Sequence, residues 1–355
     1  MADCQLMRIL IATAQVPFIR GGAEAHAEGL RDALCREGHE AEIIAIPFKW
    51  YPPEKILDHM LACRLLDLTE VAGTPVDLLI GLKFPAYLIP HPNKVVWILH
   101  QHRTAYELWD HPLGDLIYAP DGAQVRAAIQ AADRRLLVQA KALYANSGNV
   151  ARRLKQYCGL DSTPLYHPPP FAEKFYCAET TDDYLFFPSR LCRPKRQSLV
   201  LEALAQTRQP VRVRFAGAPD YPSYIDELRR LARKLKAQQR VEWLGQVTED
   251  EKRRLYGEAR GVVYPPIDED YGYVTLEAML ASKPLITCAD SGGPLEFVRD
   301  NETGLIAEPT AESLAAAMDH LWERKDEARE WGARGRALYD KLGISWANVV
   351  RKLLG

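Results

Sequence analysis

The sequence has no cysteine pair at CxxC spacing, no long apolar run and no marked excess of either charge. Its seven cysteines, at 4, 35, 63, 158, 177, 192 and 288, are scattered and odd in number. That excludes a zinc ribbon, argues against a disulfide framework and favours reduced thiols. A formal net charge of −2 lacks the basic excess of nucleic-acid-binding domains, so no nucleic-acid partner is expected. The longest apolar runs, such as Val95–Leu99, fall far short of the roughly 20 residues of a membrane-spanning helix. Met1-Ala2-Asp3-Cys4-Gln5 shows no basic stretch followed by an apolar one. No signal peptide is therefore expected, and a cytoplasmic location is. No short repeat and no low-complexity segment is present.

What is present is length and alternation. A chain of 355 residues, 47% apolar and 26% charged, suits two globular domains rather than one core. Short apolar runs alternate with amphipathic stretches, the pattern of parallel sheets covered by helices on both faces. Strands are predicted at Arg8–Thr13, Ala41–Ile46, Asp77–Ile80, Val95–Leu99 and Leu143–Asn146. A helix is predicted over Ala23–Arg36, ended by Gly38, and another over Asn149–Tyr157, capped by Ser147. Tyr166-His167-Pro168-Pro169-Pro170 interrupts the pattern, because proline lacks the N–H that a helix or central strand needs. Alternation resumes with strands at Tyr184–Pro188, Val211–Ala216, Arg240–Leu244, Gly261–Tyr264, Pro284–Cys288 and Gly304–Ala307. The expected organisation is two successive doubly wound α/β domains, residues 1–167 and 168–344. The apolar-faced helix at 345–355 could join either, packing back on the first being one placement. Ligands of such domains sit outside the carboxyl ends of the strands.

Three features of the second half converge. Ser189 to Lys195 follows a strand and precedes a helix, with Arg190 and Lys195 five residues apart. Such a loop can hold a planar fork and a point charge against one diphosphate, although a solvated basic loop has the same composition. Asp268 to Met279 places Glu269 before Gly272 and Glu277 eight residues after Glu269, in the next helix. Gly272 allows close backbone approach, and N–H groups around Tyr273, Val274 and Thr275 begin a helix and so form an anion site. Carboxylates offer only acceptors and suit sugar hydroxyls. Glu277 lies in a mainly apolar stretch, where an unpaired Glu is rare. Ser291-Gly292-Gly293-Pro294 reads as a tight turn on its own.

This ordered set resembles the retaining glycosyltransferases of family 4. It comprises Arg190 and Lys195, Gly245-Gln246-Val247, Glu269 and Glu277, Lys283-Pro284-Leu285-Ile286-Thr287, Gly292-Gly293-Pro294-Leu295-Glu296, Asn301-Glu302-Thr303-Gly304-Leu305 and a terminal helix around Trp346. The resemblance implies a GT-B fold, two Rossmann-like domains facing a central cleft, acceptor side first and donor side second. It implies transfer of a sugar from a nucleotide-diphosphate sugar to a hydroxyl, in polysaccharide, lipopolysaccharide or glycolipid assembly. Arg190 and Lys195 would hold the diphosphate, Glu277 the ribose and Glu269 the donor sugar. N–H groups near Val274 and Thr275 would reach the distal phosphate, and Val247 would lie near the base. Asp270 stands where the family often has Gly, which leaves the donor sugar open. No cofactor or metal is expected, since the cations present can do the charge work.

In the first half, Gly21-Gly22 lies between the first strand and the first helix and is not a GxGxxG fingerprint, which argues against a nicotinamide enzyme. A bare double glycine is an ordinary turn; the resemblance makes both residues neighbours of donor or acceptor. His100 ends a strand, and with His102 and either Asp110 or His111 it could make a zinc set, or be a core histidine. The resemblance places His100 in the donor-sugar pocket. Arg134-Arg135 and Arg152-Arg153 with Lys155 could touch an anionic membrane surface or be solvated helix faces. Two other readings remain open: a GT-B nucleotide-sugar epimerase, and a two-lobed binding protein without chemistry.

Overall fold

The computed structural model describes residues 6–355. Met1–Gln5, on which the signal-peptide expectation rests, lies outside them. The chain divides into two compact units, Met1–Pro170 with Ser345–Gly355, and Phe171–Ile344.

The first unit runs β1 (Arg8–Gln15), α1 (Gly22–Arg36), β2 (Glu40–Pro47), α2 (Glu54–Leu65), a two-stranded hairpin of β3 (Glu70–Val71) and β4 (Thr74–Pro75), β5 (Leu78–Gly81), β6 (Lys94–Ile98), α3 (Gly122–Leu136), β7 (Ala142–Ala145), α4 (Gly148–Cys158) and β8 (Thr163–Pro164). Its sheet has the order β2-β1-β5-β6-β7-β8, parallel throughout. Alternate side chains of β1 enter different cores, as a period of two requires. Ile9 and Ile11 pack with Leu30 and Leu34 of α1, while Leu10, Ala12 and Ala14 pack with residues of α2 and α3 such as Ile56 and Ile129. Both faces are covered, which is why these strands read as continuous apolar runs. Ser147 caps α4, its Oγ accepting from the Val150 N–H at 3.0 Å, and Gly159 closes it in the left-handed region.

The second unit runs β9 (Leu185–Pro188), α5 (Gln197–Gln206), β10 (Val213–Ala216), α6 (Pro222–Lys234), β11 (Val241–Gly245), α7 (Glu249–Glu258), β12 (Gly261–Val263), α8 (Tyr273–Leu280), β13 (Leu285–Cys288), β14 (Gly304–Ala307), α9 (Ala311–Glu323) and α10 (Lys325–Lys341). Its parallel sheet has the order β11-β10-β9-β12-β13-β14. This is the Rossmann order, reversing between β9 and β12.

The last helix, α11 (Trp346–Leu354), belongs to the first unit. Val349, Val350 and Leu353 enter the same core as α1, and Tyr144 Oη donates to the Lys352 carbonyl at 2.7 Å. Trp346 sits on Gly29, where an added Cβ would collide with the indole ring. The indole stacks on His167 at 5.5 Å between centroids, and His26 lies 4.0 Å from His167. Burial pushes the His167 imidazole down to about 3, and burial and then the His167 charge hold His26 well below the ordinary range.

Two outcomes follow from this seat. Gly29→Ala forces a rigid ring to move and is expected to cost about 1–3 kcal/mol in urea unfolding. A histidine depressed on folding is neutral in the native state while its unfolded counterpart takes up a proton below about pH 6.5, so stability falls as pH falls through the window from there to about 3. His167→Phe should therefore gain on wild type by about 1.4 kcal/mol per pH unit below 6.5; a difference independent of pH contradicts this.

Candidate active site

The two marked segments of the second unit leave the sheet from the carboxyl ends of β9 and β12, the strands between which its order reverses. Loops from such neighbours diverge and leave a crevice.

The loop after β9 is tied to the continuation of β10. Ser189 N–H donates to the Ala216 carbonyl and Leu191 N–H to that of Ala218, both at 2.9 Å. The approach is so close that a Cβ on Gly217, at φ +149°, would collide with the Ser189 carbonyl. Buried Gln197 donates to the Arg190 carbonyl at 2.9 Å and fixes the loop from behind. The Arg190 side chain is exposed, and its Nη1 donates to Asp220 Oδ1 at 2.7 Å. Lys195 is different: its side chain is 13% exposed, and its Nζ donates to Tyr264 Oη at 2.8 Å and pairs with Glu269. Burial alone would lower the Lys195 pKa, but the charges of Glu269 and Tyr264 and their hydrogen bonds outweigh it and hold the ammonium well above its usual range. Arg190 and Lys195 thus enter the site in different states, one solvated and one buried and pre-aimed. The Ile267 N–H donates to the Pro194 carbonyl at 2.7 Å and joins this loop to the one after β12.

The loop after β12 runs beside the loop after β13. Asp268 and Glu269 N–H groups donate to Asp290 and Ser291 carbonyls, each at 2.9 Å, and the Gly293 N–H donates to the Glu269 carbonyl at 2.8 Å. A Cβ on Gly293 would lie 2.6 Å from the Tyr271 carbonyl oxygen and 2.8 Å from that of Asp270. The double glycine that reads alone as a plain turn is thus needed to bring the acidic loop into place. Gly272, at φ +85°, is in the left-handed region and caps α8. Tyr273 is half-buried, Val274 and Thr275 are buried, and the Thr275 N–H donates to the Gly272 carbonyl at 2.9 Å. That N–H, expected to reach a phosphate, already has a partner because the first turn closes on itself.

Glu277 lies inside α8 with its side chain 6% exposed. Its Oε1 accepts from Lys252 Nζ at 3.0 Å and its Oε2 from Tyr256 Oη at 2.7 Å. Both partners project from α7, one turn apart, and sequence reasoning missed them. The i, i+4 spacing was visible, but its meaning depends on α7 lying beside α8. Burial alone would lower the Lys252 pKa; the Glu277 charge and the Glu249 contact turn it upward. Each Glu277 oxygen retains further acceptor capacity. Val247, half-buried, follows β11 and Gly245, whose carbonyl accepts from the Gly217 N–H at 2.7 Å.

In the first unit, Gly21 and Gly22 are exposed at the start of α1, and the Gly21 N–H donates to Glu24 Oε2 at 2.7 Å. Nothing lies closer than 3.8 Å to a Cβ placed on Gly21, so packing of the chain does not require glycine there. His100 is half-buried after β6, with Nδ1 2.7 Å from the Gln101 carbonyl oxygen. Next to it, Gln101 anchors to buried Asp133, which also accepts from Tyr87 Oη at 2.9 Å and Tyr106 Oη at 2.7 Å. This network too was not read from the sequence. Burial pushes His102 down to about 4. Among the described residues no group of three metal-capable side chains assembles, so His100 and His102 do not form a zinc set with Asp110 or His111. Much of the basic stretch of α3 and α4 is engaged within the chain. Arg153 is buried 3.1 Å from Glu107, and Lys155 pairs with Asp161 at 2.7 Å.

Gly293→Ala must displace the Asp270–Tyr271 backbone. The expected cost is about 1–3 kcal/mol in chemical unfolding, with the loss confined to the second unit.

The chain is similar to known proteins. Residues 172–338 match the family described as glycosyl transferases group 1. The alpha-1,3/1,6-mannosyltransferase of Dictyostelium discoideum is 30% identical over 120 residues, a stretch covering 34% of this chain and only 28% of that protein. An uncharacterized glycosyltransferase of Methanocaldococcus jannaschii is 23% identical, with 98% of this chain and 96% of that protein covered. Among solved structures, sucrose-phosphate synthase from Thermosynechococcus elongatus superposes with a TM-score of 0.77 at 18% identity, covering 97% of each chain. HepE of Anabaena, in complex with UDP and glucose, gives 0.71 at 17% identity, covering 98% of each. The fold, two Rossmann-like units, is that of the GT-B glycosyltransferases. The group 1 glycosyl transferase match lies in the second unit, on the segment that carries Lys195, Glu269 and Glu277.

Proposed function

We propose that the protein transfers a sugar from a nucleotide-diphosphate donor to a hydroxyl of a glycan or lipid-linked acceptor, with retention at the anomeric carbon. The observation that carries this reading is the buried Lys195–Glu269 pair bridging the loops after β9 and β12. It supplies a permanent cation and a hydroxyl acceptor side by side, at the strand ends where ligands of such sheets bind. The relatives named as glycosyltransferases and the UDP-bound neighbour support the donor class.

In this mechanism the bond from the anomeric carbon to the distal phosphate breaks and its electron pair stays on the diphosphate. The acceptor oxygen forms the new bond on the same face, and its proton passes to the leaving diphosphate. Charge builds on the diphosphate, and Lys195 and Arg190 stabilise it because they are oriented before the reaction begins. Donor arrival divides the resting pair: Lys195 turns to phosphate oxygens and Glu269 to sugar hydroxyls. Arg190 leaves Asp220 for the same phosphates. Glu277, steadied by Lys252 and Tyr256, takes the ribose hydroxyls, and Val247 lies near the base. Gly272 with Tyr273 and Val274 presents the start of α8 to the distal phosphate. The charge work assigned to Lys195 and Arg190 leaves no step that needs a divalent cation. Among the described residues no helix is long and apolar enough to cross a membrane.

A thermal-shift panel of UDP-, GDP- and ADP-sugars, followed by product analysis with and without acceptors, tests the reading. Stabilisation by one donor and acceptor-dependent transfer are expected; turnover of donor into an epimer without acceptor contradicts it. Lys195→Ala should lower turnover by roughly 10²–10³-fold, and near-normal turnover removes its role. Activity should survive EDTA; loss that manganese restores overturns the metal-free step.

A further inference from the structure

A cavity ringed by cations opens at the opposite end of the same sheet. It has a volume of about 410 Å³ and lies at the amino-terminal side of β13, where Lys283 and Pro284 precede the strand. Arg260, Lys283, Lys325 and Arg329 line it, and the segment leading to β9 adds Cys177, Glu179 and Thr181. Its distinguishing member is Lys283, which is 3% exposed. Among the described residues no carboxylate pairs with Lys283, and the Cys177 thiol, a weak acceptor, lies near its amine. The other three cations are at least partly answered. Arg260 pairs with Asp183 and donates to the Trp322 carbonyl at 2.7 Å, Lys325 lies 4.0 Å from Asp183, and Arg329 lies 3.9 Å from Asp326.

A buried ammonium without an anion is costly, and such groups are normally paired. Burial pushes the Lys283 amine below its usual range, with Cys177 opposing and Arg329 adding to the fall. An anion in the cavity would reverse that. We infer that this cavity is a binding site for a phosphomonoester dianion, held by Lys283 from within and by Lys325 and Arg329 at the mouth. A dianionic phosphate has three oxygens to set against these cations, and the cavity is large enough for a small organic group beyond it. Glu179 at the rim favours ligands whose organic part offers hydroxyl donors.

The cavity is also connected to the candidate active site. The Lys283 N–H donates to the Ala278 carbonyl at 2.8 Å and so closes the end of α8, the helix that begins beside Gly272 and carries Glu277. Helix α10 lies directly on this turn, since a Cβ on Gly332 would collide with the Ser282 carbonyl. An occupant would therefore brace the far end of the helix that presents Glu277.

The experiment is thermal unfolding of the full chain in millimolar inorganic phosphate and in glycerol phosphate, each against chloride at matched ionic strength. Wild type and Lys195→Met are expected to gain roughly 2–4 °C. Lys283→Met should lose the gain and melt no lower than wild type in chloride, because an unanswered buried charge has been removed. The double variant Lys325→Gln, Arg329→Gln, changed only at exposed side chains, should show a weakened gain. Three results overturn the inference: no gain in wild type with either probe, a gain undiminished in Lys283→Met or in the double variant, or a gain lost in Lys195→Met, which would place the phosphate at the other end of the sheet.

Discussion

Lys195 joins two loops that the sheet itself drives apart. Where strand order reverses between β9 and β12, the loops leaving their carboxyl ends turn away from each other. The ion pair with Glu269, the hydrogen bond to Tyr264 and the Ile267–Pro194 backbone bond draw them together again. Because the pair is largely buried, its attraction is weakly screened, and removal of either member leaves the other charge facing a partly desolvated site. The chain keeps a cation and a carboxylate in contact where a ligand that separates them can exploit both.

Glycines supply the close approaches that make this geometry available. Gly217 lets the continuation of β10 lie against the Ser189 carbonyl, Gly293 lets the loop after β13 lie against Asp270 and Tyr271, and Gly272 turns the chain into α8. Behind them, Gln197 and the Lys252–Glu277–Tyr256 cluster fix what faces forward. Polar groups in such a setting are useful only if their partners are already in place, since an unmade buried hydrogen bond is expensive. Both ends of α8 thereby acquire chemical significance: the start beside Gly272, and the end at Lys283.

The fold was legible because the strands are buried on both sides and read as unbroken apolar runs, Leu185-Phe186-Phe187 among them. Strand limits differ by a residue or two; β10 begins at Val213 rather than Val211, and β1 extends to Gln15. The two-residue strands β3, β4 and β8 were not legible, being too short to show a period. Arg190, Lys195, Glu269 and Glu277 could be singled out because their order and spacing along the chain carry the signal. Lys252, Tyr256 and Asp133 could not, because their importance arises from helix packing between segments distant in sequence. Lys283 was noticed only as part of a strand-leading run; its burial without a carboxylate is a tertiary fact.

The loops after β9 and β12 together should hold a nucleoside diphosphate. A crystal structure of the chain with a nucleoside diphosphate tests it most directly. Pyrophosphate oxygens are expected within hydrogen-bonding distance of Lys195 Nζ and the Arg190 guanidinium, with a ribose hydroxyl on Glu277. A nucleotide seated elsewhere, with the Lys195–Glu269 pair still intact, would contradict it.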